Sequence, residues 1–141
     1  MPADRRKIAR LRRLERVRAI AHQEAASAAA EAEATLARLD DLASRTDALA
    51  GDYAARAGIS DGGELCRTGQ FVHALLSIRA AAMADAQRAR TLADARQNDL
   101  ANAERRRAGV QDRADAAERA LAQRSAQPVL AARRKAGTGL E

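Results

Sequence analysis

Between Pro2 and Pro128 the chain holds no proline, so across that whole interval every residue keeps the backbone N–H that a helix needs. The interval has one concentrated break. Four of the eight glycines fall between Gly58 and Gly69, most densely in Gly58-Ile59-Ser60-Asp61-Gly62-Gly63. The expected fold is therefore all-α, a long antiparallel two-helix coiled-coil hairpin over residues 1–127, with a helix at 4–57, a loop at 58–63 and a helix at 64–125. The competing topology is an intermolecular parallel dimer, and the break near mid-chain favours the hairpin. Asp61 or Thr68 is placed to cap the second helix. Gly51 and Gly109 stand alone, each costing about 1 kcal/mol relative to alanine, too little to end a long helix. Pro128 is expected to end the second helix and leave 128–141 as a basic, flexible tail containing Gly137 and Gly139.

Composition agrees with that punctuation. Alanine supplies 39 of 141 residues, charged residues 31%, and the only aromatics are Tyr53 and Phe71. A globular core of this size normally uses several aromatic anchors, whereas Ala, Arg, Glu, Leu and Gln favour long helices and coiled coils. Steps alternating four and three trace a seam through Leu14, Arg18, Ala21, Ala25, Ala28, Ala32, Thr35, Leu39, Leu42, Thr46, Leu49 and Tyr53. In the second helix the series runs Phe71, Leu75, Ile78, Ala82, Ala86, Ala89, Ala93, Arg96, Leu100, Ala103, Arg107, Val110, Ala114, Ala117 and Leu121. Two successive four-steps at 78–82–86 read as a stutter. Alanine layers bury little, roughly 0.8 kcal/mol per methyl-sized group, so modest stability is expected.

Charge is distributed unevenly. Residues 1–20 carry eight basic and two acidic groups, residues 21–104 eight and thirteen, and residues 105–141 nine and four. Both ends are positive and the middle is negative. Folding near residue 63 makes opposed residue numbers add to about 126, which gathers Arg5, Arg6, Arg10 and Arg13 with Arg113 and Arg119 at the open end that carries both termini. Two differently charged ends imply two different partners.

Chemistry-bearing constellations are missing from this pattern. Gly62-Gly63 is followed by Glu64, without the Gly-Lys-Ser/Thr of a phosphate-binding loop. Asp61-Gly62-Gly63-Glu64 lacks the alternating oxygen ligands of a calcium loop. His22 and His73 lie on different arms with no second ligand at metal spacing. Neighbouring acids such as Asp40-Asp41 point about 100° apart on a helix and read as a solvated face. The expectation is a protein that is not an enzyme and uses no metal, cofactor or small-molecule substrate. No stretch approaches the roughly 18–20 apolar residues of a membrane span, no signal peptide is evident, and the lone Cys66 fits a cytosolic chain.

The basic start, Arg5-Arg6-Lys7 through Arg18, could grip phosphates. That leaves a basic coiled-coil nucleic-acid-binding protein as the alternative reading. It lacks the base-reading Asn of basic-zipper proteins and any interleaved aromatics. Ile8, Leu11, Leu14, Val17 and Ile20 recur every three residues, so their stripe winds around the helix and makes a poor membrane-lying face. A third reading is a purely structural coiled coil with no docking role.

Most of the chain resembles the flagellar export protein FliJ family, the small coiled-coil component of the bacterial flagellar type III export apparatus. The basic amphipathic start Ile8-Ala9-Arg10-Leu11-Arg12-Arg13-Leu14, a long first helix reaching Tyr53 and a short loop follow the family order. Most specific are Gly58-Ile59-Ser60 and Gln70-Phe71-Val72-His73-Ala74-Leu75, similar to the family's loop and to the motif that opens its second helix. Gly69 stands where the family often has Tyr, the loop is about a residue longer, and alanine is unusually abundant. The resemblance implies a non-enzymatic stalk at the cytoplasmic face of the inner membrane, at the flagellar base. Its terminal end would dock into the hexameric export ATPase ring, here through Arg5, Arg6, Arg10, Arg13, Arg113 and Arg119. It would also contact the export gate through Phe71, Leu75 and Ile78, and bind export chaperones. Phe71, Leu75 and Ile78 also belong to the seam series, where they would pack on Tyr53 and Leu49 instead.

Overall fold

The computed structural model of the chain describes residues 2–56 and 58–136, with 128–136 as backbone only. It is an all-α, coiled-coil-like helical hairpin of two helices, α1 (Pro2–Ala54) and α2 (Gly62–Ala136). Contacts divide it into a terminal unit, Met1–Ala25 with Leu100–Glu141, and a loop unit, Ala26–Asp99. Within each unit the two helices pack against one another in antiparallel register.

Helix α1 stops three residues short of the expected end. Ala55 N–H still donates to Gly51 O at 3.0 Å, and Arg56 N–H then turns to Tyr53 O at 3.4 Å, so the last turn tightens before Gly58. The Arg56 guanidinium lies 3.9 Å from the Tyr53 ring centroid, holding the turn by a cation–π contact. Helix α2 starts with Asp61 as its N-cap: Asp61 Oδ1 accepts the Glu64 N–H at 2.6 Å. Glu64 reaches back and accepts from Ser60 N at 3.2 Å and Ser60 Oγ at 2.9 Å. This is a capping box displaced by one residue, since the returning carboxylate takes the N–H before the cap. A Cβ at Gly63 would stand 3.3 Å from Asp61 Oδ1, so glycine there leaves the cap undisturbed.

At the other end, α2 does not stop near residue 125 but runs through Pro128 to Ala136. Pro128 lacks the N–H that would bond to Arg124 O, but the turns on either side keep their own bonds. The expected flexible tail is thus helical as far as Ala136. Ala57, Gly137, Gly139 and the last two residues lie outside the described residues.

The seam holds the expected heptad spacing but not all the expected residues. In α1 Arg18, Ala21, Ala25, Ala28, Ala32, Leu39, Thr46 and Tyr53 are covered as expected, while Glu15, Leu36, Ala43 and Ala50 are covered in place of Leu14, Thr35, Leu42 and Leu49, and His22 and Ala29 are covered beside Ala21 and Ala28. Leu14, Leu42 and Leu49 sit outside on a flank, while Ala29 and Ala50 are almost fully buried. In α2 the covered positions before Ala82 are Val72, Leu75 and Arg79, with Phe71 and Ile78 exposed. Steps of four and three then run unbroken from Thr68 to Leu121, and the expected stutter is absent. Beyond Ala82 the expected series stands, except that Arg96 and Arg107 are exposed.

Size accounts for part of this: Ala29 (2% exposed), Ala82 (3%) and Ala86 (4%) are buried in the seam, where a larger side chain would overpack, although Glu15, Leu36 and Arg79 are covered ahead of Leu14, Thr35 and Ile78. The larger Leu42, Leu49, Phe71 and Ile78 are moved to the rim. Thr46, also buried, donates its hydroxyl to Leu42 O at 2.7 Å and so leaves no unsatisfied polar atom. We expect Ala82→Leu to destabilise the hairpin by about 1–3 kcal/mol through overpacking, and Leu42→Gln to change it by less than about 0.5 kcal/mol. Urea unfolding followed by far-UV circular dichroism separates the two outcomes.

Candidate functional site

Two surfaces stand out, one in each unit. In the terminal unit the same heptad phase carries Glu15, Arg18 and His22 into half-covered seam positions. Arg18 Nε is a buried polar atom with no hydrogen-bond partner, so this stretch of seam is polar and weakly held. Arg18→Leu should raise stability by about 1 kcal/mol, read as a higher urea midpoint at unchanged slope. An unchanged or lowered midpoint would mean that the guanidinium is better satisfied than this packing allows.

One side of the terminal unit is a charge network centred on Arg12. Its Nε donates to Glu118 at 2.9 Å and its Nη2 to Glu118 at 2.7 Å and Asp115 at 2.9 Å; Nη1 donates to Glu15 at 2.7 Å. The fork meets Glu118 in bidentate fashion, the strongest geometry open to this pair. The hydrogen bond from Arg12 holds the Glu118 carboxyl below its ordinary value of 4.5, and the three carboxylates raise the Arg12 pKa. Nearer the termini, Arg124 Nη1 donates to Asp4 at 3.1 Å.

The expected docking cations are all solvent-exposed. Arg5, Arg6, Arg10 and Arg13 occupy the first turns of α1, and Arg113 and Arg119 the facing stretch of α2. Arg119 Nε donates to its own helix at Asp115 O, 3.3 Å away. Arg113 shares a groove with Lys7, Leu11, Ala116, Ala117 and Ala120, and the other five expected cations do not line it. The expected docking set leaves out Arg12 and Lys7, which figure in the sequence only as part of the basic start. Arg12 was detectable from Glu15 at i+3 together with the Asp115/Glu118 pair opposite in the hairpin register.

In the loop unit one side is ionic. Arg79 meets Asp47 at 2.5 Å, Arg90 meets Asp40 at 3.7 Å, and Gln97 donates to Glu33 at 2.5 Å. The other side carries exposed apolar groups, Leu42 and Leu49 on α1 and Phe71, Ile78 and Leu92 on α2, with Asp85, paired to Arg88, at the same seven-residue spacing between Ile78 and Leu92. Of the expected gate residues, Phe71 is 42% and Ile78 48% exposed, while Leu75 is buried at 7%. Phe71 also meets Tyr53 edge-on, ring centroids 4.7 Å apart. Of the seam alternative, Leu75 is buried in the seam and Phe71 packs on Tyr53, while Ile78 lies on the surface.

Among the described residues no group of three or more His, Cys, Asp or Glu is arranged to hold a metal ion, and no helix is long and apolar enough to cross a membrane. Cys66 is exposed and free. No protein family, curated protein or solved structure matches the chain.

Glu118 and Glu64 both have depressed pKa values, Glu64 through the hydroxyl and N–H of Ser60. A carboxyl held low in the folded state stabilises it above the ordinary 4.5 and loses that stabilisation as pH falls through the folded value. The melting temperature should therefore be flat between about pH 5 and 7 and decline below that range. Arg12→Gln should lower the plateau and flatten the acid limb; an acid limb identical to wild type would show that Arg12 does not set it.

Proposed function

We propose that this chain is a non-enzymatic component of the bacterial flagellar type III protein export apparatus, working by docking rather than by chemistry. The carrying observation is the exposed cation cluster of the terminal unit, where Arg5, Arg6, Arg10, Arg13 and Arg113 have no carboxylate partner among the described residues. Those cations would enter the hexameric export ATPase ring, attraction raising the docking rate and fixing polarity more than affinity. The second contact, to the cytoplasmic part of the export gate, would use Phe71 and Ile78, with Leu75 supporting them from the seam. Export chaperones are further partners in this reading. The protein would act peripherally at the cytoplasmic side of the inner membrane at the flagellar base. The helical hairpin and the resemblance of Gly58-Ile59-Ser60 and Gln70-Phe71-Val72-His73-Ala74-Leu75 to the FliJ pattern support it.

ATP turnover by the cognate export ATPase, measured at about 150 mM salt, should rise on adding the protein. Stimulation should be lost when Arg5, Arg6 and Arg10 are all changed to Glu. No stimulation and no binding would overturn the assignment. The same exposed cations support a second reading, a basic coiled-coil nucleic-acid-binding protein. Its signature would be DNA affinity that falls log-linearly with salt.

A further inference from the structure

The two sides of the helix pair in the terminal unit differ in how their charge is matched. On the Arg12 side, Glu15, Asp115 and Glu118 all converge on one guanidinium. The opposite side holds the groove lined by Lys7, Leu11, Arg113, Ala116, Ala117 and Ala120. Helical spacing adds Arg10, Leu14 and Val17 on α1 and Arg106 on α2 to that side, since they lie three, seven or ten residues from Lys7 or seven from Arg113. None of Lys7, Arg10, Arg106 and Arg113 is ion-paired among the described residues. The groove thus has Lys7 and Arg113 on its two walls with Leu11 and small side chains between them, and Leu14 and Val17 are exposed further along α1.

We propose that this groove receives an acidic amphipathic α-helix from a protein partner. Alanines at 116, 117 and 120 allow close backbone approach, and a groove between two helices is the shape a third helix fills. Leu14 and Val17 call for an apolar strip on the incoming helix. The walls call for carboxylates on both edges of that strip. Arg106 and Arg113 are seven residues apart, two helical turns, so the matching acids repeat at seven. Two other anionic partners fit less well. Phosphates would use the cations but not the apolar floor. A membrane surface needs its apolar groups on a convex face, and here Leu11 and the alanines lie at the bottom of a groove. The proposal deepens the export reading and rests on it only for the partner's identity; the groove's chemistry stands on the terminal unit alone.

The test uses the full chain and a fluorescein-labelled synthetic helix of about three heptads, with leucine on one strip and glutamate at seven-residue spacing on both edges. A permuted peptide of identical composition, phosphatidylglycerol vesicles and a DNA duplex are the competing probes, all at about 150 mM salt. Fluorescence anisotropy should show the patterned helix bound and the permuted one weakened roughly tenfold. Lys7→Glu with Arg113→Glu should abolish binding, while Arg38→Glu with Arg67→Glu, the same charge change in the loop unit, should shift it less than about twofold. Ala116→Trp, which blocks the floor without changing charge, should also abolish it, with circular dichroism confirming the helices. Equal binding of the two peptides, equal loss in the two charge-reversed variants, or a preference for vesicles or DNA would each overturn the proposal. Peptide binding that stands without stimulation of the export ATPase would remove the export reading and leave the groove. Stimulation that survives Lys7→Glu with Arg113→Glu would do the reverse.

Discussion

The alanine layers of the seam set everything else. With Ala29, Ala32, Ala82, Ala86 and Ala93 buried between the helices, close approach supplies packing in place of large apolar area. Each layer contributes little, on the order of one methyl group, so the hairpin depends on many such layers kept in one phase. That phase takes Leu36, Leu39, Leu75, Leu100 and Leu121 into the seam and leaves Leu14, Leu42 and Leu49 exposed beside it.

The same phase sorts the surface into sides with different properties. In the loop unit it puts Asp47, Asp40 and Glu33 opposite Arg79, Arg90 and Gln97 on one side and the leucines with Phe71 and Ile78 on the other. In the terminal unit Arg12 takes Glu15, Asp115 and Glu118, Arg124 takes Asp4, and Lys7 and Arg113 have no ion pair among the described residues. Exposed ion pairs of this kind contribute at most about 1 kcal/mol each, so they orient the register more than they stabilise it. Specificity for a partner would come from the unmatched sides.

Much of this was legible in the sequence. The lack of proline between Pro2 and Pro128 and the glycines around Gly58 to Gly63 gave two helices and the turn, and Asp61 was identifiable as a cap. Opposed residue numbers were expected to add to about 126, and Asp47 pairs with Arg79. The seam was only half legible. Ranking by hydrophobicity favours Leu42 over Ala43 and Phe71 over Val72, but at close approach volume outweighs hydrophobicity, and the smaller neighbour wins. The invoked stutter was a product of that error, because Phe71 and Ile78 sit one residue off the true layers. The end of α2 was misjudged for a related reason: a proline marks a probable boundary, yet a helix held on both sides of it can continue. Which cations are free and which are consumed, as Arg12 is, depends on the facing helix and can be read from sequence only through the hairpin register.

The Tyr53–Phe71 contact brings together the chain's only two aromatic rings beside the loop. Pairing that begins there closes the shortest loop in the molecule and so loses the least chain entropy. The capped start of α2 and the Arg56 contact with Tyr53 lie in the same neighbourhood. Folding can then proceed like a zip, from a sticky aromatic starter through weak alanine teeth toward Asp4 and Arg124. The polar layers at Glu15, Arg18 and His22 come late in that order and are the first to open on its reversal. The order of this terminal stretch is the least costly part of the seam to lose.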